Sequence, residues 1–326
     1  MIILFKYLLV NATKDSRNHS SGQSYNSNVL LIYVYADVHP YAYGNLKYFV
    51  DTAVRERDGV DYVFILQQVH EKVIDEKEMP ILPKDNAFYL QHENQCFDFG
   101  TIGWFFEKHT IGDPWKRKTT SMNDTDQYKF KLTRYKYFIF LNSSIRGPFF
   151  PPYFLQFLLD YQRDFNEKFY WYYIFTKRIN DRVKLIGCTI NCTPLMHVQS
   201  YFLVTDFVGL SAILKDDESP FRCYATQSEV IMLSEQGISH RILQADYMIT
   251  SLLSKHYPLH FSRKSDQCIA GENTYTDKHL DGVSLEPYEV VFVKFNNRTG
   301  TFDAQNRAKL YEKWMEEAIS NNRTSW

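Results

Sequence analysis

From residue 29 onward, short apolar runs alternate with longer amphipathic stretches, the pattern of stacked βα units. Residues 29–35 form a continuous apolar strand candidate leading to Asp37, and residues 43–57 then place Leu46, Phe49, Val50, Ala53 and Val54 at helical spacing. Two further buried strands are expected at 62–67 and 86–91, and a short helix through Trp104, Phe105 and Phe106. Residues 114–128 lack an apolar period and read as a charged surface loop. The strongest strand signal is 135–141 (YKYFIFL), which runs directly into the polar turn Asn142-Ser143-Ser144-Ile145-Arg146-Gly147-Pro148. Downstream, the periodicity predicts a helix at 154–166, strands at 183–190 and 198–205, and helices near 206–214 and 224–236. It predicts a further helix capped by Ser239, a late strand at 288–295 and an amphipathic helix at 304–320.

The whole is an α/β pattern without internal repeat or composition break. One domain is expected over 29–300, preceded by a short apolar N-terminus and polar stem (1–28) and followed by a terminal helix and tail (301–326). In such sheets ligands collect beyond the carboxyl ends of the strands. Asp37, 94–100, 142–148, 188–197 and Asp206 are therefore the first places to look for chemistry. No G-x-G-x-x-G follows the first strand, and the chain has no G-K-[ST] loop, G-x-S-x-G elbow or H-E-x-x-H, which removes dinucleotide, P-loop, α/β-hydrolase and zincin readings.

Composition changes this picture in four ways. A net charge of -1 over 326 residues supplies no field to recruit nucleic acid, so no nucleic-acid partner is expected. Aromatic residues make up 17% of the chain; the run Tyr170, Trp171, Tyr172 and Tyr173 serves either as a stacking platform for sugar or as core. The first ten residues are apolar apart from Lys6 and Tyr7, about half of a spanning helix, and read as a signal segment, an anchor or a buried strand; any membrane association would run through them alone. Sequons at Asn11, Asn18, Asn123, Asn142, Asn191, Asn297 and Asn322 exceed the roughly two or three expected by chance and lean toward a Golgi or secretory lumen, with the cytoplasm as the alternative. Five cysteines, none in a C-x-x-C pair, leave at least one unpaired and permit one or two bridges in an oxidising lumen.

Three stretches taken together resemble the rhamnan-synthesis type of glycosyltransferase and its eukaryotic and viral relatives: residues 92–100 (HENQCFDFG), 140–149 (FLNSSIRGPF) and 197–202 (HVQSYF). A fourth, Glu235-Gln236-Gly237-Ile238-Ser239, matches in order and spacing, and the likeness spans about residues 30–260. The resemblance implies a GT-A-like three-layer α/β/α sandwich around a mostly parallel mixed sheet, a nucleoside-diphosphate sugar donor and a glycan or glycoconjugate acceptor. It assigns donor contacts to Asp37, Asn94, Asp98, Asn142, Ser143, Ser144 and Arg146, and acceptor or pocket contacts to Gln199, Ser200 and Asp206. The catalytic candidates are Glu235 and His197, with Glu235 as the base ahead of Glu229 or Asp206, and inversion as the preferred course. Where many GT-A enzymes carry Asp-x-Asp, this chain has Asn142-Ser143-Ser144, which puts Mg²⁺ or Mn²⁺ dependence in doubt. Asp124-Thr125-Asp126 spells the triplet in the polar insertion, and Arg146 is a candidate to replace part of a cation's charge. The missing carboxylates also suggest the alternative of a catalytically silent relative that binds nucleotide or glycan. Each residue has a plainer reading: a polar turn for 142–144, a surface ion pair for Arg146, a buried histidine for His197 and a helix cap for Asp98.

Overall fold

A computed structural model describes residues 27–69, 73–93, 96–111, 130–165, 168–215, 219–263, 268, 273–274, 276–298 and 300–320. The apolar N-terminus, the 114–128 insertion with Asp124 and Asp126, Asn94, and the sequons at Asn11, Asn18, Asn123 and Asn322 lie outside the described residues. No helix among the described residues is long and apolar enough to cross a membrane.

The apolar runs become strands because each is buried on both faces. β1 (Val29–Ala36) and β2 (Val60–Gln67) are buried at every position, and β3 (Ala87–His92) forms the edge. Between β1 and β2, α1 (Ala42–Ala53) turns Leu46, Phe49, Val50 and Ala53 inward; it stops before residue 57 because Val54 is extended and Arg57 adopts a φ of 55°. α2 (Phe97–His109) starts earlier than the aromatic run alone suggested. β4 (Tyr137–Asn142) is followed by the short β5 (Ile145–Arg146) and by α3 (Pro152–Phe165). The expected strand at 183–190 ends at β6 (Val183–Gly187), and a two-stranded ribbon follows, β7 (Ile190–Asn191) with β8 (His197–Val198). β9 (Phe202–Asp206) leads into α4 (Phe207–Ile213).

Three elements differ from expectation. The 224–236 helix and the helix assigned to Ser239 are one continuous run: Thr226 caps a turn at Gln227–Glu229, a π-helical segment spans Val230–Glu235, and α5 (Gln236–Gln244) continues it. Ser239 therefore caps nothing; its Oγ accepts from the Val198 amide at 2.9 Å and ties α5 to β8. A strand not expected from the pattern, β10 (Met248–Ser251), fills the far edge. The run 288–295 is mostly not a strand: Pro287 opens a helical turn, and only β11 (Val293–Lys294) pairs, antiparallel to β5. α6 (Phe302–Ser320) closes the described chain.

The sheet order is β10-β6-β9-β4-β1-β2-β3. All neighbouring pairs are parallel except that β9 runs antiparallel to both β4 and β6. This is the mostly parallel mixed sheet and single GT-A-like domain expected. Period-2 alternation divides the core between two layers. Leu31, Tyr33 and Tyr35 of β1 face α1, α6 and Trp171, Phe175 and Phe292, while Leu30, Ile32 and Val34 face α2, α4 and α5. Trp171 and Tyr172 are core rather than platform: Trp171 Nε1 donates to the Ala53 carbonyl at 3.2 Å and the Tyr172 hydroxyl to that of Asp58 at 2.8 Å.

Disulfides join Cys96 to Cys223 and Cys192 to Cys268, leaving Cys188 buried with a free thiol. The first bridge draws the start of α2 against residues 221–223, and two glycines allow it. A Cβ at Gly103 would stand 1.8 Å from the Phe221 carbonyl oxygen, and one at Gly100 would stand 3.3 Å from that of Arg222. Gly103→Ala should therefore destabilise by roughly 1–3 kcal/mol in urea unfolding through overpacking against backbone; an unchanged midpoint would show that the two segments are not in contact.

Candidate functional site

The order of strands reverses between β1 and β4, so the helix after β1 and the elements after β4 leave a crevice beyond their carboxyl ends. Asn142 ends β4 at this point. Its Nδ2 donates to Asp98 Oδ2 at 2.8 Å, and its Oδ1 accepts from the Ser144 amide at 3.0 Å and the Ser144 hydroxyl at 2.5 Å. The turn is thus an Asx turn whose outward amide is committed to a carboxylate. Asp98 sits in the first turn of α2, where the free amides and the helix dipole favour a negative charge, and its Oδ1 accepts from the Phe99 amide at 3.0 Å. Phe97 beside it has a φ of 50°, and its carbonyl accepts from Gln67 Nε2 at 3.0 Å, which anchors the helix start to the end of β2.

Glu235 arrives from the opposite side, at the last position of the π-helical segment. There the Gln236 amide reaches back five residues to the Ile231 carbonyl. A π turn widens the helix and re-aims the side chain, a device common at functional sites. Glu235 is half-buried and accepts a hydrogen bond from Ser200.

Both carboxylates interact electrostatically with Lys294, which the sequence reading missed. It is half-buried on β11, and its charge is felt by Asp98, Glu235 and His197. Burial pushes both carboxyl groups up from their ordinary range; the Lys294 ammonium opposes this at each, and Asp98 adds to it at Glu235. The ammonium is pushed down by burial and held up by Glu235 and Asp98. The available signal was one lysine inside the otherwise apolar run V-F-V-K-F.

His197, on β8, is buried and neutral, its pKa lowered chiefly by desolvation. Its Nδ1–H donates to the Leu195 carbonyl at 2.6 Å, which leaves the Nε2 lone pair as an acceptor. Gln199 follows with both side-chain amide atoms buried and without a partner. These residues reach the crevice because β9 is antiparallel: Phe202 pairs with Leu141, so what precedes β9 lies at the carboxyl end of β4.

The same reversal removes Asp206 from the site. It pairs with Tyr137 at the opposite edge, where Oδ1 caps α4 through the Gly209 amide at 2.8 Å and Oδ2 accepts from Lys184 at 2.7 Å. Arg146 is likewise drawn into the fold. Its Nε donates to Asn45 at 2.9 Å and its guanidinium to Glu312 at 2.7 Å, and it stacks over the Phe295 ring at 4.0 Å, joining α1, β5 and α6. The Ser143 hydroxyl is turned inward, donating to the Ala36 carbonyl at 2.9 Å, and so lengthens the β1–β4 contact. Glu229 forms a capping box with Thr226. Asp37 stays at the crevice rim, exposed, after β1. Asn94 lies outside the described residues. Of the described sequons, Asn191 is buried, Asn142 is half-buried with its amide hydrogen-bonded to Asp98, and Asn297 is exposed.

The structure thus brings together Asp98, Asn142, Ser144, Ser200, His197, Glu235 and Lys294: two carboxylates, an ammonium, a neutral imidazole and hydroxyl donors. Among the described residues no three His, Cys, Asp or Glu side chains converge on a common metal position. A separate cleft runs along α5, its lining including Leu195, Gln236, His240, Leu243 and Arg263. The chain matches no family model, no curated protein and no solved structure.

Because Arg146 anchors the fold, Arg146→Met should cost roughly 3 kcal/mol by stranding Glu312 and Asn45, and Glu312→Gln less. Urea unfolding of both variants measures this; no loss in R146M would return the guanidinium to the list of ligand contacts.

Proposed function

We propose that the chain is a glycosyltransferase that moves a hexosyl or deoxyhexosyl group from a nucleoside-diphosphate sugar to a hydroxyl of a carbohydrate acceptor. One observation carries the reading: a half-buried carboxylate, Glu235, faces a second polar cluster across the crevice at the topological switch point of a GT-A-like sheet. The resemblance of the 92–100, 140–149 and 197–202 stretches to the rhamnan-synthesis type supports it independently.

In this reaction the acceptor oxygen attacks the anomeric carbon, the bond from that carbon to the diphosphate oxygen breaks, and its electron pair leaves with the diphosphate. The acceptor proton passes to Glu235, whose raised pKa makes it a stronger base than a solvated glutamate. The Ser200 hydroxyl orients that carboxylate. Asp98 is held by the Asn142 amide and the Phe99 N–H, which suits it to receive donor hydroxyls and leaves Glu235 as the mobile proton acceptor. Inversion follows from one base on one side of the sugar. The cleft along α5 starts one residue from Glu235 and offers an amide, an imidazole and a guanidinium to an acceptor glycan. The two disulfides favour an oxidising compartment such as the Golgi lumen.

Glu235→Gln should lower kcat for transfer by roughly 10²- to 10⁴-fold while sparing donor affinity. Since the base must be ionised and burial raises its pKa, the acid limb of the wild-type rate profile should lie above 4.5, the ordinary glutamate value. A panel of nucleoside-diphosphate sugars with glycan acceptors provides the assay; binding without any turnover would favour a silent relative, and no binding would end the reading.

The same variant carries a stability signature. A carboxyl whose folded pKa is raised binds its proton more tightly in the fold, so its contribution is present at low pH and lost as pH rises through the folded pKa. Removing that charge in E235Q should raise the melting temperature at neutral pH, more than at pH 4; a lower one at neutral pH would mean that Glu235 is held by pairing rather than burdened by burial.

A further inference from the structure

We propose that Lys294 is the cation that holds the diphosphate of the donor and stabilises it as it departs. This rests on the transferase reading and adds to it a residue that no motif of the chain pointed to. A diphosphate entering the crevice meets two carboxylates, Asp98 and Glu235, and repulsion from both opposes binding unless a positive group stands among them. Arg146, the cation expected from the sequence, is turned away into Asn45 and Glu312. Lys294 is the charge that Asp98, Glu235 and His197 all feel.

Its placement is built into the fold from three directions. Val293 and Phe295 on either side are fully buried, and strand alternation therefore sends Lys294 the other way, toward the crevice. Val293 and Lys294 pair with Arg146 and Ile145, and the Phe295 amide donates to the Ser144 carbonyl at 2.6 Å, tying the lysine's strand to the turn that carries Asn142. Upstream, Val291 has a φ of 67° and ψ of -41°, and the Phe292 amide donates to the Val290 carbonyl at 2.7 Å. That is a γ-turn in its rare, strained form, occupied by a β-branched residue; such strain persists only where surrounding structure over-determines it. Gly147 opposite is open enough to admit it: a Cβ there would meet the Val291 carbonyl at 2.6 Å.

The ammonium forms no covalent bond; in its charged form it balances the charge that accumulates on the diphosphate oxygen as the bond to the anomeric carbon breaks. Calorimetric titration of wild type, Lys294→Met and Lys294→Arg with UDP, GDP and dTDP, and with the corresponding nucleosides, tests this. K294M should weaken the nucleoside diphosphate roughly 10- to 100-fold, leave the nucleoside unchanged, and be rescued largely by K294R. Equal diphosphate affinity in K294M and wild type overturns the role of Lys294 alone. Equal loss for nucleoside and diphosphate makes the lysine structural and also overturns it. Failure of the wild type to bind any nucleoside diphosphate overturns the transferase reading itself, and the role of Lys294 with it.

Discussion

The hydrogen-bonded position of β4 between a parallel neighbour and an antiparallel one governs the rest of this molecule. Parallel pairing with β1 brings Asn142 level with Val34 and makes the carboxyl edge of the sheet a crevice. Antiparallel pairing with β9 brings the start of that strand, not its end, to the same edge. Groups from both halves of the chain therefore converge on the tip of β4: Asp98 from α2, His197 and Ser200 from ahead of β9, Glu235 from the π-helical segment and Lys294 from β11. No single stretch of sequence contains the site.

Convergence places two carboxylates and one ammonium in a half-buried space, an arrangement in which charge is expensive unless paired or hydrogen-bonded. Asn142, Phe99 and Ser200 each give a hydrogen bond to one of the carboxylates, and Lys294 offsets both in part. The surrounding backbone departs from ideal geometry at several points: φ of 50° at Phe97, φ of 67° at Val291, and a π-helical turn ending at Glu235. Such departures are held by rigid neighbours. The Cys96–Cys223 bridge fixes the start of α2 against the segment leading to Glu235, and the Gly100 and Gly103 contacts let it close. Arg146 performs the corresponding task on the other face, joining α1, β5 and α6 through Asn45, Phe295 and Glu312.

Much of this was legible in the residues. Period-2 and helical spacing located the first strands, α1, the central strand with its polar tip, and the terminal helix, because burial on both faces leaves an unbroken apolar run and burial on one face leaves a stripe. Where the same residues serve two geometries, the pattern misled. The V-F-V-K-F run has strand composition, yet Pro287 and its Glu286 cap commit the preceding residues to a helical turn. Met248 to Ser251 carries only four residues of moderate pattern and becomes a strand through its neighbour β6.

For the site, the chain by itself determined which residue types cluster at the tip of the strongest strand, since a polar turn after a buried strand has few other uses. The direction of β9 was beyond it, and that direction alone parted Asp206 from His197 and Ser200, which the sequence had grouped with it. Equally hidden was whether a charged side chain faces the crevice or the interior: Arg146 and Lys294 occupy paired short strands, and only the register that sets Arg146 opposite buried Val293, with Lys294 one residue on, gives the two opposite faces. Strand direction and side-chain facing depend on contacts between residues far apart in the chain, which spacing along one sequence does not record.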